Sequence, residues 1–355
     1  MIQINDLDLS LLQFDFELTW SVFILNADRT LYGRYGTRSF KDRKKAVFFD
    51  RTPANIEQDG LPQDMSIPGF KSSLRAALSL HQRYQADASG QIGTSLSDKV
   101  GKPWPWKTPS QMPGIRHRAC THCHQVNSNL VLHHRAEQKQ LPDQILWSYP
   151  MPDLLGMILD PQKSATIKTI VKGSETDLAG IQAGDQIISL AGQPILSPAD
   201  VQWVLQQAKD GAPLKIQVQR STAAGPELAD LSIPLTPNWR RRGSFSWRWR
   251  SLRESLSKIL GGESWHCDDL SAEQRTLHGL TNQQLGVIVL ANMRRGKVKL
   301  LQKGDVIVRV DDQDSITNAS ELLAYVMQEK DPGSELVLSI LRKQKPLQIL
   351  VPVIK

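Results

Sequence analysis

The sequence predicts an α+β protein of several domains, and three observations carry that expectation. At 355 residues the chain exceeds what one ordinary core accommodates, which points to about two to four domains. Short β-branched and aromatic runs, which suit strands, alternate with segments of helical apolar period. An order of strand, glycine-aspartate turn, strand, helix and strand runs over residues 153–220 and returns, more weakly, over 285–342. Composition agrees: 40% hydrophobic and 22% charged residues are those of a globular protein. The net charge of +7 permits contact with anionic surfaces without demanding it. No apolar run approaches the roughly 20 residues of a membrane span.

Residues 1–93 read as a first domain. Trp20 to Leu25 is a strand, Asn26-Ala27-Asp28-Arg29 a turn, and Thr30 to Gly36 the returning strand of a hairpin. A helix follows the polar, proline-containing loop, with Phe70, Leu74, Ala77, Leu78 and His81 on its apolar face. Hairpin and packing helix resemble the C-terminal half of a thioredoxin fold. That resemblance implies a truncated or degenerate domain. The redox cysteine pair of the family precedes this half, nothing upstream contains a cysteine, and Leu18-Thr19 stands where the family has a cis-proline and threonine.

Residues 94–150 form a proline-punctuated connector that carries Cys120-Thr121-His122-Cys123-His124. Two thiols at this spacing with histidine directly after the second is the attachment signature of c-type haem. On a helix, positions i and i+3 share a face, so both sulfurs reach the vinyl groups of one porphyrin. The following imidazole then becomes an axial iron ligand. Cys120, Cys123 and His124 are therefore the candidate cofactor-binding residues. A redox dithiol, a disulfide or half of a zinc site needs only the cysteines, and none of them calls for His124.

For the sixth iron ligand the sequence offers His117, His133 and His134 as imidazoles and Met112 and Met151 as thioethers. The adjacent pair His133-His134 comes first, so the expected metal set is His124, His133 and His134. Zinc is the alternative, bound by Cys120, Cys123 and two of the same histidines.

The first repeat, residues 151–236, is the more regular. Asp153 to Leu159 runs into a strand pair with Thr166 to Val171, and Asp177 to Leu190 follows. Ser197-Pro198-Ala199-Asp200 opens a helix with a serine cap and proline in its first turn, and Leu214 to Arg220 is the closing strand. Ala179-Gly180-Ile181-Gln182-Ala183-Gly184-Asp185-Gln186-Ile187 together with that helix start closely resembles the PDZ domains of bacterial HtrA-type periplasmic proteases. The resemblance implies β-augmentation: an extended peptide adds a strand, and loop amides capture its terminal carboxylate. It assigns the loop to Leu154, Leu155, Gly156 and Met157, with Gly156 giving the backbone freedom that aims amides at one point. Val201, Val204 and Leu205 are expected to line the pocket for the last side chain. The groove is alternatively empty or filled internally, since fold does not fix function. No Gly-x-Ser-x-Gly or Gly-Asn-Ser-Gly-Gly stretch is present, so no catalytic residue is assigned.

Residues 237–278 read as a second connector, rich in tryptophan and arginine over 239–250. Weak contact with an anionic membrane is one use for that stretch. The blander use packs its tryptophans on a neighbour and leaves the arginines solvated. Cys267 reads as a buried filler. Residues 279–355 repeat the PDZ order, with Gly304-Asp305 before a strand, but 292–298 replace the usual small-residue turn. This second unit is expected to be PDZ-like and structural.

Taken together, residues 14–20, 25–28, 32–36, 120–126 and 247–248 resemble a bacterial family of thioredoxin-like/PDZ proteins. The resemblance implies an extracytoplasmic c-type haem protein for electron transfer or redox sensing, docked to protein C-termini or extended peptides through PDZ domains. The alternative is a non-enzymatic PDZ scaffold with a structural disulfide or zinc at the cysteine pair. No nucleic acid partner is expected. The first residues lack the basic and apolar regions of a signal peptide, whereas haem c is attached outside the cytoplasm, so either the true start lies upstream or the motif is unused.

Overall fold

A computed structural model describes residues 4–18, 20–37, 65–86, 94–95, 105–115, 121–137, 140–163, 165–293 and 300–354. In chain order its strands are β1 (Val22–Leu25), β2 (Thr30–Tyr35), β3 (Thr94–Ser95), β4 (Met157–Leu159), β5 (Ile167–Ile170), β6 (Gln186–Leu190), β7 (Gln193–Pro194), β8 (Leu214–Thr222), β9 (Gly225–Ile233), β10 (Trp265–Asp269), β11 (Val287–Asn292), β12 (Val306–Val310), β13 (Glu335–Arg342) and β14 (Lys345–Pro352). The helices are α1 (Ile67–Ala86), α2 (His124–Ala136), α3 (Asp143–Leu146), α4 (Glu175–Leu178), α5 (Pro198–Gln207), α6 (Trp249–Ile259), α7 (Ala272–Leu277) and α8 (Ala319–Gln328). They form two compact units, one of Leu7–Lys107 with Ser148–Gly243, the other of Met1–Asp6, Thr108–Trp147 and Ser244–Lys355.

In the first unit the hairpin forms where expected, with Val22 opposite Tyr35 and Phe23 opposite Arg34. Its turn is closed by the Asn26 amide donating to the Thr30 carbonyl at 2.8 Å, while the Asp28 carboxylate accepts the Thr30 amide at 2.8 Å. Such side-chain-to-backbone bonds are why Asn and Asp favour turns. Helix α1 also forms, with its buried face shifted from the expected one: Phe70, Ala77 and His81 pack inward, Phe70 on Tyr35 and His81 on Tyr32, but Leu74 and Leu78 do not. Gly69, Ser73 and Ala77 are its buried residues, whereas Leu74 and Leu78 are 41% and 57% exposed. Small residues let the helix approach backbone closely: Ser73 Oγ donates to the Leu196 carbonyl at 2.8 Å, and a Cβ on Gly69 would lie 2.2 Å from the Pro161 carbonyl oxygen. A hairpin with one helix is common to many folds, so the thioredoxin likeness is not shown by it. Thr19 lies outside the described residues.

The remainder of this unit pairs β4 with β5 and orders a second sheet β7-β6-β8-β9. Inward residues such as Leu155, Met157, Ile167, Ile187, Leu190 and Val218 make its apolar core together with α5. Helix α5 starts as its sequence predicts, with Ser197 Oγ accepting the Ala199 amide at 3.1 Å and Pro198 in the first turn. Its far end is closed by Arg240, whose Nη2 donates to the carbonyls of Leu205, Gln206 and Ala208. A cation there also meets the negative end of the helix dipole.

The second unit has one antiparallel sheet in the order β10-β11-β12-β13-β14. Strand β10 and helices α6 and α7 fall in the stretch 237–278 expected to be a connector. In β10, Trp265 and Cys267 point inward, and burial pushes the Cys267 thiol up to about 12. Helix α2 packs on α6. The two repeats share one ion pair: Arg220 meets Asp185 through two bonds of 2.8 and 2.7 Å, and Arg342 meets Asp305 through two of 2.9 and 2.8 Å. Both aspartates follow the glycine of the repeated turn, so a bidentate arginine locks that turn to the strand beside it.

The tryptophan-arginine stretch divides its arginines between interior and surface, with Arg241 and Arg242 exposed. In the first unit, Trp239 and Arg240 are buried, and Arg242 pairs with Glu175 at 2.5 Å. In the second, Phe245 and Arg248 are buried, with the Arg248 guanidinium 4.4 Å from the Trp247 ring. Arginines spent inside the fold are lost to an anionic surface. The expectation of solvated arginines therefore fails at Arg240 and Arg248.

Candidate functional site

Between β4 and α5 the first unit has the parts of a peptide groove. Strand β4 is hydrogen-bonded to a strand on one side only among the described residues. The turn that enters it, Pro152–Leu155, is a single 3-10 turn ended by Gly156 at φ +82°. Glycine is required twice over there: the left-handed backbone disfavours a side chain, and a Cβ would sit 2.1 Å from Ser174 Oγ. Leu154 and Leu155 lie in that turn, Gly156 ends it, and Met157 opens β4 buried in the core. The amides of the turn are not all available, because the Gly156 N–H donates to the Asp153 carbonyl at 2.9 Å.

The helix side differs from expectation. Val201, Val204 and Leu205 are 0%, 6% and 0% exposed and belong to the apolar core, so they do not line an open pocket. The reason is periodicity: the apolar stripe of a helix marks the face it buries, and a groove lies on the flank beside it. On α5 that flank presents Gln202 and Gln206, one turn apart. Gln206 Oε1 accepts the Tyr149 amide at 2.7 Å, and Gln202 Nε2 donates to the Tyr149 carbonyl at 2.9 Å. Gln202 Nε2 also reaches Met151 Sδ at 3.1 Å. Residues 149–151 run directly into the 3-10 turn that packs on α5. The flank is therefore occupied by the chain itself, the internally filled case.

The start of α5 is covered as well. Asp200 accepts the Arg34 amide at 2.9 Å and the Leu196 amide at 3.0 Å, and Ser197 Oγ donates to the Arg34 carbonyl at 2.5 Å. The Arg34 guanidinium lies 4.2 Å from the Trp203 ring and 3.5 Å from Asp200 Oδ1. Burial pushes the Asp200 carboxyl up to about 7 against the opposing pull of Arg34, and burial likewise lowers Arg34. Neither Arg34 nor the two glutamines was singled out by sequence reasoning. A polar pair at i, i+4 beside an apolar stripe was the available signal.

Of the haem motif, Cys120 lies outside the described residues, as does His117. Cys123 is the N-cap of α2 and His124 its first residue, with the His124 ring stacked 5.5 Å from that of His122. The order of a cysteine followed by a histidine that opens a helix fits the second half of the attachment pattern. The ligand set His124, His133 and His134 does not converge. At 1.5 Å per residue, α2 separates its two ends by about 14 Å, beyond the span of one metal ion. His133 Nε2 meets Glu137 at 3.2 Å and His134 Nδ1 the Leu130 carbonyl at 2.9 Å, so both are engaged at the far end. Met112 is buried in the second unit, and Met151 belongs to the first, on Gln202. Among the described residues, no group of three or more His, Cys, Asp or Glu is placed to hold a metal ion.

Models of the PDZ domain family match residues 166–220 and 278–353. Two curated relatives, described as probable periplasmic serine endoprotease DegP-like and from Pseudomonas putida strains GB-1 and F1, are each 26% identical over 187 residues. The match takes in 52% of this chain and 36% of each relative, so the chain spans about a third of their length. A solved structure titled HtrA-type protease AlgW with decapeptide is 13% identical, covers 40% of this chain and 49% of its own, and superposes at a TM-score of 0.22. No helix among the described residues is long and apolar enough to cross a membrane. The chain carries two PDZ domains, and in them it resembles the HtrA-type proteases.

Proposed function

We propose that this chain is an extracytoplasmic peptide-binding module whose first PDZ domain takes extended segments of other proteins between β4 and α5. The observation that carries this is the one-sided pairing of β4 beside the Gly156 turn and a helix flank already engaged with backbone groups. Backbone pairing to an edge strand supplies affinity without requiring any one sequence. The periplasmic description of the DegP-like relatives supports the location. The second PDZ domain serves as a structural support in this reading, and the N-terminal hairpin and helix, read as a thioredoxin-like half, serve as cover for α5. Fluorescence anisotropy of labelled peptides with the full chain tests it: saturable binding of extended peptides is expected. No binding by either free-ended or internal peptides contradicts it.

A second reading keeps covalent haem c on Cys120 and Cys123 with His124 as axial ligand, and zinc there as its alternative. Cys123 and His124 opening α2 favour it. When bound, the haem supplies one-electron chemistry. The chain made with an export signal in cells that attach haem c is then expected to keep its Soret band after denaturation. A colourless, exported protein overturns this reading.

A further inference from the structure

Three features of the first PDZ domain belong together. Residues 149–151 occupy the α5 flank through backbone bonds of 2.7 and 2.9 Å from one residue, Tyr149, to Gln206 and Gln202. Those are the two groups that any extended peptide residue offers, so the flank reads backbone and not a particular side chain. Tyr149 is also held at φ +47°, in the left-handed region that residues with a side chain disfavour. A strained residue in that place gives up strain when it leaves.

The third feature is Arg34. It is 4% exposed, yet its Nε and Nη1 make no hydrogen bond. Asp200 offers only an ion pair, Nη1 to Oδ1 at 3.5 Å, because its oxygens already take the Arg34 and Leu196 amides. A buried guanidinium with unused donors is costly, and carboxylates are its natural acceptors. The same guanidinium lies 4.2 Å from the ring of Trp203, the residue that follows Gln202 on α5.

We infer that residues 149–151 are a resident stand-in for a ligand, and that the ligand displacing them is an extended acidic peptide whose carboxylate takes the unused donors of Arg34. This rests on the peptide-binding reading of the first PDZ domain. It names the chemistry of the partner: an Asp or Glu side chain placed to face Arg34, in a segment whose backbone repeats the Tyr149 bonds to Gln202 and Gln206.

The test uses the full chain and matched labelled peptides, one carrying a central Asp or Glu and the other Asn or Gln. On Tyr149→Ala, which shortens the stand-in, acidic peptides are expected to bind roughly tenfold tighter than their amide counterparts. Arg34→Gln is expected to remove that preference, and Arg34→Lys, which keeps the charge, to retain part of it. Circular dichroism checks that each variant is folded. If Arg34→Gln does not fold, the preference in Tyr149→Ala must still shrink as salt is raised, since a charge contact underlies it. Equal binding of acidic and amide peptides overturns the inference while leaving peptide binding intact. No binding of either peptide to any form overturns the peptide-binding reading and the inference with it.

Discussion

The two PDZ domains share a frame and differ in what covers their helices. Each locks its glycine-aspartate turn with a bidentate arginine, Arg220 in one and Arg342 in the other. Each closes the C-terminus of its long helix with an arginine from elsewhere in the chain. Arg240 does so for α5, and Arg135 for α8 through the carbonyls of Val326, Met327 and Lys330. The cover is different. Over α5 it is the Tyr149 backbone on two glutamines, with the Tyr149 ring in the core. Over α8 a larger continuous core joins Leu323 and Met327 to Leu141, Leu146, Trp147 and Phe245, and Gln328 donates to the Leu141 carbonyl and the Asp143 carboxylate. Hydrogen bonds to a cover can be exchanged for bonds to a ligand, whereas breaking a joint core exposes apolar surface at about 25 cal/mol per Å². In the reading proposed above, the first domain exchanges its cover and the second keeps it.

The largest effect expected from breaking this comparison is at the loop of the first domain. Gly156→Val forces a β-branched residue to φ +82° and into Ser174, and should cost about 4 kcal/mol, seen as a lower denaturation midpoint of the first unit. Because the new side chain meets Ser174, peptide binding should be lost together with the fold of the loop. Next comes Leu323→Ala in α8. It should remove about 3 kcal/mol from the second unit and leave peptide affinity unchanged, by parallel denaturation and anisotropy measurements. Unchanged stability would show that the α8 cover is not a true core.

A graded effect should follow from Asp200. Its carboxyl is raised from 3.8 to about 7, so between those values the folded state holds a proton that the unfolded state has released. Stability of the first unit therefore falls as pH rises from about 4 toward 7, and Asp200→Asn should flatten that slope in thermal scans. The smallest effect on stability is expected at the clamp. Gln206→Ala should cost about 1 kcal/mol while raising the exchange rate of the Tyr149 amide, whose proton Gln206 Oε1 accepts. A slow, unchanged amide would show that residues 149–151 are held by something other than the glutamines.

What the sequence made legible was local. The turn of Asn26 to Arg29, the Ser197-Pro198 helix start and the strands around Asp185 and Asp305 are each decided by neighbours in the chain. What it hid depended on distant partners. Val201, Val204 and Leu205 were read as pocket because apolar periodicity reports burial without saying what lies on either flank. Gln202 and Gln206 look like ordinary surface residues until residues 149–151 are placed against them. In α1, Leu74 and Leu78 outweighed Gly69 and Ser73, although close backbone approach selects the small residues. Strand β10 was lost in a stretch dominated by tryptophan and arginine, even though Trp265 and Cys267 alternate correctly.

The most direct measurement is hydrogen–deuterium exchange of the full chain with and without a saturating acidic peptide. The expected result is new protection over 157–159, faster exchange over 149–151 as the stand-in leaves, and no change over 319–328. Protection confined to 319–328, or unchanged exchange throughout 149–159 with peptide bound, would contradict the assignment of the first PDZ domain as the site whose cover is exchanged.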